Sequence, residues 1–254
     1  MRELKILAVV VALTLITYWG VEPYAHHQMH PQVEAADFTF ADVKKDVEDV
    51  TALQGDATNG EVLVTANCTA CHSIESKGFP QLMDNASSGA AYGVTPPDLG
   101  SAGKLYDATY LAAFIKDPAS ASKVAHKFVD GKVHPMPSYN WMQPQEIADM
   151  VAYLKSIAPK EMTNKEVFTD ACQRCHGIKY ADMKGGSMAA FTANADIKHY
   201  MGKLPPDLSQ IIKSRGHEYL ETFVNNPQKH LEGTAMPRVG LNEEAQAQVV
   251  AYLE

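Results

Sequence analysis

Cysteine is scarce in this sequence, and none lies outside two short motifs. The 254 residues contain four cysteines, which stand in "NCTACHS" (67–73) and "ACQRCHG" (171–177). A disulfide framework is typical of shorter and more cysteine-rich chains. A zinc ribbon joins two Cys-x-x-Cys pairs about 15–20 residues apart, whereas these two pairs lie about a hundred residues apart. The scarcity and the spacing therefore argue against both.

The sequence also lacks an excess of positive charge. It has 22 Lys and Arg against 30 Asp and Glu, which gives a formal net charge of −8. Surfaces that bind nucleic acids are basic, so we predict no nucleic-acid partner. Strand signals are sparse as well, and the apolar periodicity along the chain is that of helices. The sequence therefore predicts an all-α fold.

The two motifs share the pattern Cys-x-x-Cys-His. A redox pair of the thioredoxin kind belongs to a βαβ pattern and needs no histidine. Cys-x-x-Cys-His is the attachment sequence of covalently bound haem c, so we predict two haem c groups. Each cysteine forms a thioether bond, and the histidine of each motif ligates the iron. The predicted attachment residues are Cys68, Cys71, Cys172 and Cys175, and the predicted iron ligands are His72 and His176.

An uncharged run from Ile6 to Val21 follows the basic residues at the N-terminus. As a helix it covers about 24 Å, slightly less than a hydrocarbon core. A cleaved signal peptide has similar features, but no good small-x-small cleavage site follows closely. In addition, Tyr18, Trp19 and Tyr24 resemble an interfacial aromatic belt. We predict an uncleaved transmembrane anchor over residues 1–24, with the N-terminus in the cytoplasm and the rest outside it.

The remainder of the chain contains a linker and an internal repeat. Residues 25–58 are polar without a clear core pattern, which predicts a solvated linker. Residues 59–158 and 159–254 then contain the same features in the same order, which predicts two tandem all-α domains. After the haem motifs, the matching segments are "TPPDLG" (95–100) and "LPPDLS" (204–209), "YLAAFIKDP" (110–118) and "YLETFVNNP" (219–227), and "PQEIADMVAYLKSI" (144–157) and "NEEAQAQVVAYLE" (242–254).

Each predicted iron needs a sixth ligand from the later part of its domain. Met136 and Met236 are the best candidates, because both are followed by proline and both precede the closing helix. Thioether sulfur is a good partner for haem iron, and Met/His ligation raises the haem potential. Met142, Met201 and His134 are alternative ligands.

The two Pro-Pro-Asp-Leu loops are predicted to line the haem pockets. A ligand histidine usually donates its second ring N–H to a fixed acceptor, and we expect the carbonyls of Pro97 and Pro206 to accept. Leu99 and Leu208 are expected to pack on the haem, the alternative being an ordinary proline-rich turn. Two six-coordinate irons leave no position for a substrate. The pattern therefore favours electron transfer over catalysis at iron, and we find no separate catalytic constellation.

The combination of Cys-x-x-Cys-His, Pro-Asp-Leu, a late Met-Pro and a terminal "YL" helix resembles class I cytochrome c domains over residues 59–254. The whole chain, including "TYWGVEPYAHHQMHP" (17–31), resembles the membrane-anchored dihaem cytochrome c subunits of bacterial quinol:cytochrome c oxidoreductases, the cytochrome bc1 complexes. This resemblance implies cytochrome b and a Rieske iron–sulfur protein as partners. It also implies electron transfer from the Rieske protein to soluble cytochrome c or a terminal oxidase, with the haem domains on the periplasmic side of the bacterial cytoplasmic membrane.

Other functions stay open on the sequence alone. Ordinary cytochrome c1 has one haem and a C-terminal anchor, whereas this sequence predicts two haems and an N-terminal anchor. The dihaem subunit of a cbb3-type oxidase also joins an N-terminal anchor to two such domains, and a free membrane-tethered electron shuttle is a further alternative. A dihaem peroxidase needs one iron with an open position for peroxide, and the two Met-Pro pairs argue against it.

Overall fold

Helices form nearly all of the regular structure. The structure is a computed structural model, which describes residues 2–29, 35–129, 131–185 and 194–254. Within these ranges no β-strand forms, and the isolated strand-like backbone pairs are Ile74–Phe79, Tyr106–Leu241 and Ile178–Met183. Contacts divide the chain into two units, Met1–Ala35 and Ala36–Glu254. The all-α fold class is confirmed.

The first unit contains one continuous apolar helix. α1 (Arg2–Ile16) runs through a wider π-helical turn (Thr17–Val21) into α2 (Glu22–Met29). Pro23 lacks the N–H that the carbonyl four residues earlier would accept, and local widening of the helix accommodates that loss. Within the 27-residue helix Arg2–Gln28, an 18-residue window has a mean hydropathy of 2.0, and none of that window is buried. It is long and apolar enough to cross a membrane.

The second unit carries both copies of the repeat. The helices before and within the first copy are α3 (Ala41–Lys44), α4 (Glu48–Thr51), α5 (Ala57–Asn67), α6 (Asn85–Tyr92), α7 (Ala102–Leu105), α8 (Ala108–Lys116), α9 (Pro118–Ala121) and α10 (Pro144–Ile157). The helices of the second copy are α11 (Asn164–Ala171), α12 (Asn194–Met201), α13 (Ile211–Arg215), α14 (His217–Asn225), α15 (Pro227–His230) and α16 (Glu243–Leu253). Short 3-10 turns lie at Glu75–Lys77, Ala125–Lys127 and Lys179–Ala181.

In each copy the helix before the haem motif packs on the closing helix. α5 packs on α10, and α11 packs on α16. The first pair approaches closely at Gly60, where a Cβ would lie 2.0 Å from the carbonyl oxygen of Asp149. The apolar stripe of α10 faces the core, with Met150 and Leu154 only 1% and 3% exposed. The closing helices predicted from the sequence are confirmed.

The two copies are joined by backbone and side-chain contacts. Leu105 of the first copy is buried in the core of the second. The N–H of Asp107 donates to the carbonyl of Gly240 at 3.0 Å, and that of Asn242 donates to Leu105 at 2.9 Å. Gly240 has a φ of +78°, and a Cβ there would lie 1.9 Å from the ring of Tyr110. Only glycine fits at this junction.

Residues 36–53, here called the strap, are not a solvated linker. The strap buries four side chains in the core of the first copy, from Val43 in α3, Val50 in α4, and Phe40 and Val47 directly before these two helices. These residues recur three or four positions apart, which is the spacing of one helix face. The prediction of a linker over residues 25–58 is therefore wrong for the strap, because its apolar face is covered by the first domain.

The strap also reaches the second copy through an ion pair. The side chain of Arg238 is 1% exposed, and its Nη1 donates to both carboxylate oxygens of Asp42, at 2.8 and 2.9 Å. The guanidinium lies 4.6 Å from the ring centroid of Phe40, and Nε donates to the carbonyl of Asn225 at 3.2 Å. Burial alone would raise the pKa of Asp42, but hydrogen bonds from Arg238 and Lys123 outweigh it and lower that pKa to about 2.

We expect Asp42→Asn to destabilise the protein. The substitution leaves the buried Arg238 cation without its charged partner, which costs about 2–4 kcal/mol of unfolding free energy. Asp46→Asn is the matched control, because Asp46 is an exposed aspartate of the same strap, and we expect a change within about 0.5 kcal/mol. The measurement is loss of helical circular dichroism in urea, on the full chain in detergent. Equal effects of the two substitutions would contradict this role of the ion pair.

The same variants should show a pH dependence. The pKa of Asp42 is lower in the folded chain than the value of about 3.9 for an unfolded aspartate. Its ion pair therefore contributes fully above about pH 4, and the contribution is lost as the pH falls through about 2. The stability difference between the unmodified chain and Asp42→Asn should shrink over this interval. A difference that stays constant or widens would be the opposite result.

Candidate functional site

The two Cys-x-x-Cys-His motifs form the same turn at the ends of matching helices. α5 and α11 each end one residue before the first cysteine of a motif. In the first motif the N–H groups of Cys71 and His72 both donate to the carbonyl of Cys68, at 3.1 and 2.9 Å. The corresponding residues of the second motif form both hydrogen bonds at the same distances. Each motif thus holds two thiols and an imidazole within one tight turn.

Each motif histidine is oriented by a proline carbonyl. His72 Nδ1 lies 2.8 Å from the carbonyl oxygen of Pro97, and His176 Nδ1 lies 2.9 Å from that of Pro206. A carbonyl can only accept, so Nδ1 must carry the proton and Nε2 keeps a free lone pair. These are the contacts that the sequence predicts for the two Pro-Pro-Asp-Leu loops. The arrangement leaves Nε2 available to a metal.

The loops are held against the motifs by matching aspartates. Asp98 Oδ2 accepts from the hydroxyl of Ser73 at 2.7 Å and from the N–H of Glu75 at 2.9 Å. Asp207 Oδ2 accepts from the N–H of Lys179 at 3.0 Å. The leucine after each aspartate donates its backbone N–H to the chain just after the motif histidine, at 2.9 and 2.8 Å. The distance from each histidine to its proline acceptor is therefore fixed.

Burial sets the protonation state of the motif residues. It lowers the pKa of His72 to about 4, against the smaller opposing effect of the Pro97 hydrogen bond, and it also lowers the pKa of His176. Both rings are neutral at physiological pH. Burial raises the pKa of the Cys68 and Cys172 thiols to about 12 each. Free thiols of this kind are poor nucleophiles, which does not fit a thioredoxin-like redox pair.

Both motifs face one cavity of about 530 Å³, a size typical of cofactor pockets. Its walls include the cysteines and the histidine of each motif, together with Pro97, Leu99, Met136 and Met236. Pro206 and Leu208 are not among the described residues on these walls; Leu208 packs on the core of the second copy. Paired thiols, a neutral imidazole and a thioether sulfur are the donors that haem c uses. The residues present therefore fit that group.

Four of the five candidate sixth ligands line the cavity, and one does not. Met136, Met236, Met201 and His134 line it, whereas Met142 is 7% exposed in the core of the first copy. His134 Nδ1 accepts from the backbone N–H of Met136 at 3.1 Å. The carbonyl oxygen of Met136 lies 3.0 Å from the same nitrogen, so the His134 ring contacts the Met136 backbone at both of these atoms. Met136 and Met236 stay the predicted ligands.

The cavity walls also carry residues that no sequence pattern singled out, and three of them have polar or sulfur-containing side chains. These are Met83, Tyr106 and Arg174. Met83 and Tyr106 lie outside the repeated features, so no spacing indicated them. Arg174 is visible inside the second motif, between its cysteines, but spacing does not show which way a side chain points.

Comparison with known protein families agrees with this geometry. The family model described as Cytochrome c matches residues 57–158 and again residues 163–254. The chain belongs to the cytochrome c family. Members of this family bind haem c covalently, and the tandem cytochrome c domains predicted from the sequence are confirmed.

Two curated relatives are similar to parts of this cytochrome c. The cytochrome c-553-like protein of Synechocystis sp. is 29% identical over 120 residues, which cover 47% of this chain and 87% of the relative. The cytochrome c of Tetrahymena pyriformis is 30% identical over 95 residues, which cover 35% and 83%. A solved structure titled "Hyperthermophilic respiratory Complex III" matches all of this chain and 81% of its own, at 20% identity and a TM-score of 0.29. That TM-score is too low to support a conclusion about arrangement or partners.

We expect Met136→Leu and Met236→Leu each to change one haem. Loss of the sulfur ligand should abolish the Met–iron absorption band of that haem and lower its potential, since Met/His ligation raises it. We expect the potential of that haem to fall by at least about 59 mV, which is a tenfold change in its oxidised-to-reduced ratio. Met142→Leu, in the core, is the control and should leave both potentials in place. Unchanged spectra for either ligand variant would refute that ligand assignment, and redox titration with optical detection makes the measurement.

Proposed function

We propose that this cytochrome c binds two haem c groups and transfers single electrons as the cytochrome c1-like subunit of a quinol:cytochrome c oxidoreductase, a cytochrome bc1 complex. In this function the donor is the Rieske iron–sulfur protein, and the acceptor is soluble cytochrome c or a terminal oxidase. The observation that carries the proposal is the duplicated site, since each copy of the repeat brings a full Cys-x-x-Cys-His set to the same cavity.

Each copy supplies the protein bonds for one haem. In the first copy Cys68 and Cys71 would form the thioether bonds, and His72 and Met136 would ligate the iron. The second copy offers the corresponding set, Cys172, Cys175, His176 and Met236. The proline carbonyls hold both imidazoles in one orientation, which keeps a ligand ring in place in either oxidation state.

Electron transfer suits this ligand set better than catalysis at iron. Haem c supplies a one-electron iron couple. Two protein ligands on each iron leave no position for peroxide or another substrate, which argues against a dihaem peroxidase. The cavity walls are mostly apolar. Two haem groups held on one cavity would lie near each other, which would favour passage of an electron between them.

The N-terminal helix supports a place at a membrane. Its length and hydropathy suit a single span, and the basic residues before it favour a cytoplasmic N-terminus. Haem attachment to Cys-x-x-Cys-His in bacteria occurs on the outer side of the cytoplasmic membrane, so both haem domains would face the periplasm. The resemblance of residues 17–31 to the anchors of dihaem bc1 subunits favours that complex over a cbb3-type oxidase.

The test is purification of the chain with its partners. We would solubilise native membranes in mild detergent, capture the tagged chain, identify the proteins that accompany it and measure the mass of the chain. We expect a cytochrome b, a Rieske protein and a mass increase of two haem groups. The untagged strain is the control for non-specific capture.

The other outcomes separate the alternatives. Copper–haem oxidase subunits in place of cytochrome b and the Rieske protein would assign the chain to an oxidase and overturn the proposed complex. A homogeneous species containing only this chain would indicate a free shuttle and overturn it as well. A mass increase of one haem or none would refute the dihaem assignment itself.

A further inference from the structure

The second motif carries a cation that the first motif lacks. Arg174 stands directly before the second cysteine of "CQRCH", where the first motif has Ala70. Both residues line the shared cavity. The two copies therefore place different chemistry at the same position of a repeated site.

The side chain of Arg174 points into the first copy. Its Nη2 donates to the carbonyl of Thr95, which stands two residues before Pro97, the acceptor for His72. One helical turn before Arg174, Asp170 accepts a hydrogen bond from the hydroxyl of Ser101 at 2.7 Å. Arg174 and Asp170 thus contact both ends of the loop that orients the histidine of the other motif.

One N–H donor of the Arg174 guanidinium does not form a hydrogen bond within the described residues. The Nε of Arg174 is buried and has no hydrogen-bond partner among the described residues. A buried N–H without a partner is unfavourable, and an arginine guanidinium is a permanent cation. The site therefore offers a desolvated donor and a permanent positive charge at the cavity wall, which suits a carboxylate.

We propose that Arg174 is a binding residue of the first haem site, contributed by the second motif. Its guanidinium binds a carboxylate of the haem held by Cys68 and Cys71, and its charge raises the potential of that haem above what the axial ligands alone would give. A fixed cation near the iron stabilises the reduced form, because the oxidised form carries one more positive charge. This inference rests on the proposed dihaem function.

The test is a redox titration of the full chain in detergent, followed by optical absorption. Arg174→Gln and Arg174→Met remove the charge, and Arg174→Lys retains it without the planar fork. Arg215→Gln is the matched control, because it removes the same charge from an exposed arginine of the second copy. Each haem gives one transition in the titration, and the transition of the first haem is the one whose potential changes in Met136→Leu. The mass of each variant counts its haem groups before titration.

In Arg174→Gln and in Arg174→Met we expect the potential of the first haem to fall by about 59 mV. For one electron this is a tenfold change in the oxidised-to-reduced ratio. The second haem should shift less, and Arg174→Lys should retain most of the original potential. Arg215→Gln should leave both haems close to their original potentials.

Several results would overturn the role of Arg174. One is a shift of the first haem's potential in the neutral variants that is no larger than the shift in Arg215→Gln. Another is a shift of the second haem's potential that equals or exceeds that of the first. A third is a shift in Arg174→Lys as large as in the neutral variants, because charge would then not be the cause. If the neutral variants lost the haem of the second motif, Arg174 would serve its own motif instead. Fewer than two haems in the unmodified chain would be a failure of the proposed function rather than of this inference.

Discussion

The hydrogen bond from each motif histidine to a proline carbonyl is the contact on which the site depends. Because the carbonyl only accepts, the bond fixes the tautomer of the ring as well as its orientation, and a free Nε2 is left for iron. Burial keeps the ring neutral, so it does not have to lose a proton before it binds a metal. The acceptor is useful only at a fixed distance, which the Asp98 and Asp207 hydrogen bonds maintain. Loop and motif therefore form one unit in each copy.

Neither copy encloses this unit alone. Domains of about a hundred residues bury a limited core, and these two extend theirs by sharing residues. Leu105 of the first copy fills the core of the second, and the strap covers the first copy with Phe40 and Val47. The strap then ties to the second copy through Asp42 and Arg238, two residues after Met236. The loop that carries a predicted iron ligand is thus held by a segment that precedes both domains.

The sequence predicted those parts of the protein that depend on local pattern. Apolar periodicity located α8, α10, α14 and α16, and repetition of the Pro-Pro-Asp-Leu loop indicated the acceptors for both histidines. The strap was missed because its few apolar residues stand among charged ones, and the faces that cover it lie far along the chain. The pair of Asp42 and Arg238 spans 196 positions, and no local pattern encodes such a contact. The common cavity was equally inaccessible, since a repeat defines two units without their relative orientation.

Repetition of the motifs does not make the two sites equivalent. The predicted ligands are the same in kind, yet Ala70 and Arg174 differ at one position, and the arginine reaches the loop of the opposite copy. A guanidinium in a partly buried site acts through a lower effective dielectric than water, so its charge is felt more strongly there than at the surface. A desolvated cation therefore makes the two sites different, although their predicted ligands are the same in kind. On the proposed dihaem function, the contacts between the copies, more than the motifs themselves, would determine which haem holds an electron more tightly.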